Sequence, residues 1–274
     1  MTDTLYLHRP GMGRTAAVTG LRPAAWAASG AVAGALLAML VFAPARWLAK
    51  AVYRATGQQL LLADPRGTVW NGSARLMLTG GADSREAVAL PERVQWTLTP
   101  GFTGLHAGLR AACCTPRPLQ LRIVPRLSGW RVDVADAQVQ WPAGLLAGLG
   151  TPWNTLQPSG LLSLQTSKLS AEWNNGRLLL AGGAVLDARD MASPLSTLRP
   201  LGTYRLRLQG GTGISATLET LEGGLQLSGS GQWIGSRLRF SGEASALPER
   251  EAALTNLLNI IGRRDGSRSI ITIG

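Results

Sequence analysis

The chain has 274 residues, of which 45% are hydrophobic, so it is long enough to bury a substantial core. Its 34 glycines and 15 prolines, with only 16% charged residues, favour many short strands joined by turns and argue against an all-helical protein. The net charge of +11 comes from arginines spread along the chain, without the dense basic run of a nucleic-acid-binding groove. We therefore expect no nucleic-acid binding, and such a basic surface suits an anionic membrane face or acidic partner proteins.

The first predicted element is an uncharged, apolar segment over residues 24–43, bounded by Arg22 and Arg46. Its 20 residues match the roughly 20 that a helix needs to cross a hydrocarbon core of about 30 Å. Trp26 and Trp47 lie 21 positions apart, a spacing that puts one indole near each membrane interface. The pattern predicts one transmembrane helix.

Two other structures fit the same segment. A cleaved signal peptide is one, because Ala43-Pro44-Ala45 has the small residues of a cleavage site, but the apolar run exceeds the usual length of about 7–15 residues. A buried core helix is the other, although such a helix normally carries a polar stripe. Lysines and arginines lie on both sides, so they do not orient the segment. Gly30 and Gly34 form a GxxxG step, which is either a helix–helix contact or a coincidence of this composition, and the composition favours coincidence.

Residues 44–57 have the period of an amphipathic helix that ends at Gly57. We predict that this helix is a short stalk between the membrane and the following domain. Its apolar side is expected to carry Trp47, Leu48, Ala51, Val52 and Ala55.

From about Leu60 onward, apolar and polar residues alternate with the period of half-buried antiparallel strands, most clearly over 94–99, 119–123, 204–208 and 225–228. The sequence therefore predicts a mainly β fold, a twisted or curved antiparallel sheet built as a meander. Tight turns are expected at Asn71-Gly72, Asn175-Gly176, Gly210-Gly211 and Gly223-Gly224.

Two stretches depart from this alternation. Residues 142–150 predict only a short helix or loop. Near the C-terminus, a helix is expected from Pro248 to a stop at Gly262, followed by a turn and a last strand over 270–273. The helix should pack on the sheet through Leu254, Leu257, Leu258 and Ile261.

Few residues offer chemistry. His8 lies in the N-terminal tail and His106 stands alone in a glycine-rich connection, so His and Cys do not supply a three-ligand zinc site in one place. No GxSxG elbow, P-loop, GxGxxG or HExxH motif occurs, and the carboxylates are scattered without an obvious pair. We therefore expect no catalytic residue, no metal and no cofactor.

Cys113 and Cys114 are adjacent, which allows a vicinal disulfide, an intermolecular bridge or two reduced thiols. The residues alone favour a structural or incidental role for the pair.

Three stretches resemble the type II secretion system protein N family: Gly67-Thr68-Val69-Trp70-Asn71-Gly72, Leu201-Gly202-Thr203-Tyr204, and the ending LLNIIGRR over 257–264. The similarity extends from the apolar segment to the final glycine. The first and third stretches are far more specific than a bare glycine pattern.

The resemblance implies a single-pass protein of the bacterial inner membrane, with a cytoplasmic tail over 1–23 and a periplasmic β-rich domain over 58–274. It implies a non-enzymatic subunit that supports assembly or stability of the platform exporting folded proteins, with other inner-membrane and periplasmic components of that machinery as partners. The family is also similar to AsmA-like proteins, whose curved sheets form a groove with an apolar concave face. The alternative is therefore a membrane-anchored, lipid-binding groove protein.

The signature residues are interpreted as structural. Trp70 is expected to pack under a hairpin and Gly72 to adopt positive φ in the turn. Arg263 and Arg264 are expected to pair with the C-terminus of the helix that precedes them. Gly67, Val69, Gly202, Tyr204 and Gly262 complete the signature.

Overall fold

The computed structural model describes residues 23–81, 84, 86–174, 177–234 and 237–274. A first unit ends at Phe42 and contains helix α1, Pro23–Val41, whose side chains from Trp26 onward are exposed. The helix confirms the predicted conformation of most of the apolar segment. Within the described residues, however, no helix has both the length and the apolar character that crossing a membrane demands. The predicted tail lies outside the described residues, except for Pro23.

The second unit, Ala43–Gly274, is built on one sheet. It starts with helix α2, Ala45–Ala55. Fifteen strands follow in the described residues: β1 Leu60–Gly67, β2 Asn71–Thr79, β3 Ala87–Gly101, β4 Gly104–Arg110, β5 Leu119–Arg126, β6 Gly129–Val134, β7 Gln138–Pro142, β8 Ser159–Asn174, β9 Arg177–Ala192, β10 Gly202–Gln209, β11 Ser215–Gly223, β12 Leu225–Ile234, β13 Arg237–Ala246, β14 Arg263–Asp265 and β15 Arg268–Ile273.

The strands are ordered β1-β2-β3-β4-β5-β6-β8-β9-β10-β11-β12-β13-β15-β14, with β7 paired to β8 beside this path, and every pair is antiparallel. The predicted meander is confirmed. Because directions alternate, the connections β1–β2, β3–β4, β5–β6, β8–β9, β10–β11 and β12–β13 lie at one end of the sheet, which we name the tip end. β6 and β7 both run antiparallel to β8, so the short β6–β7 link lies midway along β8. The remaining connections, which contain four further helical segments, lie at the opposite end, which we name the helix end.

The predicted turns are partly correct. Gly210-Gly211 joins β10 to β11, and Gly223-Gly224 joins β11 to β12. Asn175-Gly176 lies outside the described residues. Asn71-Gly72 is not a turn, because both residues belong to β2 and the chain reverses over residues 68–70.

Helix α2 is amphipathic as predicted, but it is not a stalk. Ala45 and Ala49 are buried against Leu62, Ala74 and Trp96 of the sheet. The predicted apolar side was correct only at Leu48 and Val52, since Trp47, Ala51 and Ala55 are exposed. The small alanines bring the helix close to the strands, so residues 44–57 belong to the sheet domain.

The helix end is covered by a 3-10 helix, Ala143–Leu149 (η1), and by helices α3, Trp153–Leu156, and α4, Glu251–Ile261. A short 3-10 helix, Pro248–Arg250, leads into α4. Leu145 of η1 is buried against the start of β3, and α4 buries three leucines on β10, β12 and β13. The predicted short helix over 142–150 and the packed C-terminal helix are confirmed. So is the last strand, which follows a turn at Gly266, where φ is +64°.

Helix α3 shows that the sheet is strongly curled. Asn154 Nδ2 donates to Glu86 Oε1 beside β3 at 3.0 Å, whereas Leu156 packs against the cluster under α4 on the opposite flank. A four-residue helix reaches both flanks only if the flanks approach each other at this end. Bulges in β1, β8 and β10 provide local bends.

Candidate functional site

One face of the curled sheet is apolar from the first flank to the last. Residues in register on neighbouring strands share a face, and the register joins Trp96 to Leu109, Leu121 to Val134, and Leu186 to Leu206. In its central part this face carries Leu105, Leu121, Ile123, Val132, Leu180, Leu186, Leu206 and Leu208, which we name the open apolar face.

The side chains of the open apolar face are half-buried. None of them belongs to the buried clusters under α2, η1 or α4 in the described part of the chain. Contiguous apolar surface of this kind is characteristic of protein-contact, membrane-contact and ligand-binding surfaces. The arrangement suits long hydrocarbon chains, because it provides a curved apolar strip many strands wide.

The opposite face is polar and held by ion pairs. Asp187 is 3% exposed and accepts from Arg205 Nε at 2.6 Å and from Arg205 Nη2 at 2.8 Å. Hydrogen bonding from Arg205 lowers the pKa of the Asp187 carboxyl below its usual range, against the opposing effect of burial, and Arg189 adds to the lowering. Asp187 therefore stays charged beneath the polar face.

A basic pocket of about 650 Å³ lies on this polar face, at β2, β3 and β4. Arg75 and Arg93 are directly opposite in the register, and Arg110 and the exposed Glu92 line the same pocket. Asp64 pairs with Arg93 at 2.9 Å, while Arg75 and Arg110 have no ion-pair partner in the described residues. Like charges in register repel, so this site favours an anionic or acidic group.

A second cavity, of about 720 Å³, lies between α3, α4 and β15. Its lining is mostly apolar and includes Trp153, Leu156, Ile260, Ile271 and Ile273. It continues the apolar character of the sheet face toward the last strand.

The first signature stretch joins the start of the domain to the core, but the predicted role of Gly72 was wrong. Gly72 does not adopt positive φ; the residue that does is Gly67, at +84°. A Cβ on Gly72 would lie 2.5 Å from the Trp96 ring, so this glycine is required by close packing. Trp70 lies in the turn and is half-buried, and the indole beneath the hairpin is that of Trp96.

Sequence reasoning missed Trp96 as a site residue. It is 3% exposed, and its Nε1 donates to the carbonyl oxygens of Thr68 and Val69 at 3.3 and 3.0 Å. The available signal was its position in the clearest alternating stretch, 94–99, but alternation does not reveal which turn lies above it.

The second signature stretch packs under α4. Tyr204 is 6% exposed, and its hydroxyl donates to the Leu225 oxygen at 3.1 Å. Burial raises the pKa of the Tyr204 hydroxyl. A Cβ on Gly202 would lie 2.5 Å from the Glu222 oxygen, so both residues serve packing.

The third signature stretch differs from expectation at its arginines. Arg264 lies 3.9 Å from Glu251, at the beginning of α4, and also donates to the Ser267 oxygen at 3.4 Å. The chain reverses at Gly262, so Arg264 runs back along the helix instead of meeting its C-terminus. Arg263 is exposed at the rim of the 720 Å³ cavity.

The remaining predicted residues lie apart from the sheet face. Gly30 and Gly34 are exposed on α1, with open space around each. Cys113 and Cys114 form a vicinal disulfide in the β4–β5 loop, where Cys114 is buried beside Leu145.

His106 is the one histidine among the described residues. His106 lies in β4, not in a connection, and is exposed opposite Arg122. Among the described residues, no three His, Cys, Asp or Glu side chains gather closely enough to hold a metal ion. The absence of catalysis remains a prediction, and His8 lies outside the described residues.

Comparison with known proteins gives one match. Residues 58–271 match the family model described as type II secretion system (T2SS), protein N. The match spans the sheet from β1 into β15 and therefore includes the open apolar face, the basic pocket and all three signature stretches. No curated protein and no solved structure matches the chain.

Proposed function

The chain belongs to the type II secretion system protein N family, and we propose that it is a non-enzymatic envelope component that supports assembly or stability of the secretion platform. The observation that carries this proposal is the family match, which extends over 58–271 and thus over nearly the whole sheet. The signature residues support a scaffold role, because Gly72, Gly202 and Tyr204 act in packing.

Attachment to the inner membrane, with the sheet domain in the periplasm, is part of the proposal. Its support is the uncharged sequence of residues 24–43 and the exposed apolar side chains of α1, among them Leu36, Leu37 and Val41. Apolar side chains exposed around a whole helix require an apolar environment.

The basic pocket is the proposed contact for acidic groups of partner subunits. Arg75 and Arg110 lie there without ion pairs in the described residues, and a net charge of +11 favours acidic partners. Charged side chains in a surface pocket of this kind govern mainly the rate at which a partner associates and the dependence of association on salt.

Gene deletion in the native host tests the secretion role. We expect loss of folded exoprotein secretion and lower levels of the other platform subunits, both restored by the full chain. The double variant Arg75→Glu with Arg110→Glu should restore less than a control with Arg117→Glu, which changes an exposed arginine in the β4–β5 loop. Unchanged secretion and unchanged subunit levels after deletion would refute the role.

The second candidate function is lipid binding, which the open apolar face favours specifically. Native mass spectrometry of the detergent-extracted chain should then find a lipid retained in stoichiometric amount. Leu206→Asn with Leu208→Asn should reduce retention, because both leucines lie on that face, whereas Leu221→Asn changes an exposed leucine outside it. An empty wild-type domain would argue against this function.

A further inference from the structure

The chain enters the sheet domain at the tip end. The Val69 N–H, in the β1–β2 turn, donates to the Ala43 oxygen at 2.8 Å, and Pro44 bridges to Thr68. The second unit therefore begins beside the first hairpin tip, and the apolar segment immediately precedes this point in the sequence.

Two other hairpin tips at this end present apolar side chains to solvent. Phe102, between β3 and β4, is 112% exposed, and Leu127, between β5 and β6, is 111% exposed. Isolated exposed apolar residues are common, but these two lie on neighbouring hairpin tips at one end of the sheet. Side chains that project this far have no packing role within the domain.

Tryptophans lie just behind the tips. Trp130 and Trp173 are directly opposite in the β6–β8 register and are 59% and 49% exposed. Ser128 Oγ lies 2.8 Å from Asn174 Oδ1 and ties the two tips together. Trp130 follows Leu127 by three residues, and Trp173 lies beside Trp130 on β8. Exposed indoles near an apolar tip are typical of a membrane interface, where the ring is apolar and its N–H remains hydrated.

The charged residues in the tip sequences are all basic. The tip sequences 67–71, 101–104, 126–130, 173–178, 210–214 and 233–238 contain arginine at 126, 177 and 237, and they contain no Asp or Glu. Arg126 and Arg237 are exposed and have no ion pair in the described part of the chain. Basic side chains around apolar tips match a surface of anionic headgroups.

We propose that the tip end docks on an anionic lipid bilayer, with Phe102 and Leu127 inserted below the headgroups and Trp130 and Trp173 at the interface. The helix end is covered by η1, α3 and α4, so it faces away from the membrane. In this orientation the open apolar face meets the lipid surface at its uncovered end. The inference holds whether or not the chain stabilises the secretion platform.

Site-specific fluorescence on the full chain in vesicles tests this docking. Leu127→Cys and Phe102→Cys each carry an environment-sensitive label, and the vesicles contain phosphatidylglycerol and phospholipids spin-labelled at two depths. The matched control is Leu247→Cys, because Leu247 is also an exposed leucine, 46% exposed, in a connection at the helix end. Cys113 and Cys114 are joined, so the wild-type chain serves as the labelling blank.

Both tip labels should be quenched strongly, at a depth of about 5–10 Å below the headgroups, while the label at 247 remains unquenched. Circular dichroism of each labelled variant verifies the sheet. Tip labels quenched no more than the label at 247 would overturn the proposal and leave the tips to a protein partner. Equal quenching in vesicles of phosphatidylcholine alone would overturn the assignment of an anionic surface.

Discussion

The indole N–H of Trp96 donates to the backbone oxygen of Val69 at 3.0 Å, and this hydrogen bond joins the core of β3 to the turn that holds the start of the domain. Val69 in turn donates its N–H to Ala43 at 2.8 Å. One signature residue thus connects the buried core, the first hairpin and the entry of the chain. Both of these hydrogen bonds use backbone atoms of Val69.

Replacement of Trp96 by Phe should lower the free energy of unfolding by about 1–3 kcal/mol, because two part-buried carbonyl oxygens lose their donor. Urea denaturation of the detergent-solubilised chain provides the measurement. Trp173→Phe is the control, since Trp173 is 49% exposed and its loss should change stability by less than about 0.5 kcal/mol. Equal losses in the two variants would contradict the role of the Trp96 indole.

Asp187→Asn should destabilise the domain at neutral pH by about 1–3 kcal/mol, because Arg205 loses a charged acceptor. The pKa of Asp187 is lowered in the folded state, so its contribution is present above the ordinary carboxyl pKa and is lost as the pH falls through the lower, folded value. Wild-type stability should therefore decline below about pH 4, and the variant should show a shallower decline.

The control for the Asp187–Arg205 ion pair is the variant Asp64→Asn. Asp64 also has a lowered pKa, from hydrogen bonding with Arg93 and the charge of Arg66, but it is exposed. Solvent screens an exposed pair, so this variant should be closer to the wild type at neutral pH. A larger loss from Asp64→Asn than from Asp187→Asn would count against the structural role of Asp187.

Gly67→Ala should destabilise the first hairpin more than Gly57→Ala destabilises the end of α2. Both glycines have positive φ, +84° and +59°, so each variant has backbone strain of about 1 kcal/mol. Only at Gly67 would the new Cβ also meet the Asn71 oxygen, at 2.5 Å, whereas the space at Gly57 is open. Comparing the unfolding midpoints of the two variants separates the effect of the close Cβ contact at residue 67 from the backbone strain that both variants share. Equal shifts of the two midpoints would mean that the structure adjusts to the Cβ contact without a cost in stability.

Leu258→Ala should cost about 2–5 kcal/mol, because Leu258 is fully buried between α4 and the sheet. Ile260→Ala, on the exposed side of the same helix, should cost far less, since Ile260 is 43% exposed. Thermal unfolding followed by circular dichroism measures both. Similar shifts would show that α4 does not close the helix end.

Local sequence patterns predicted helices and strands best where one face of the element is buried and the other is exposed to water. Apolar and polar residues alternate over 94–99 because one face of β3 packs in the core and the other is hydrated. The apolar residues of α4 recur with the helical period and so mark the side of the helix that is buried. The turn at Asn71-Gly72 was predicted wrongly because a glycine has two uses. Its missing Cβ permits positive φ at Gly67 but permits the Trp96 ring to approach at Gly72.

The sequence by itself determined that an apolar segment precedes a mainly β domain, since charge-free length and alternation are local properties of the chain. Only the tertiary structure decided that α2 packs on the sheet, that Arg264 turns back to Glu251, and that exposed apolar tips share the end where the chain enters. The physical reason is that these relationships join residues distant in sequence. They follow from register and curvature, which depend on all fifteen described strands together.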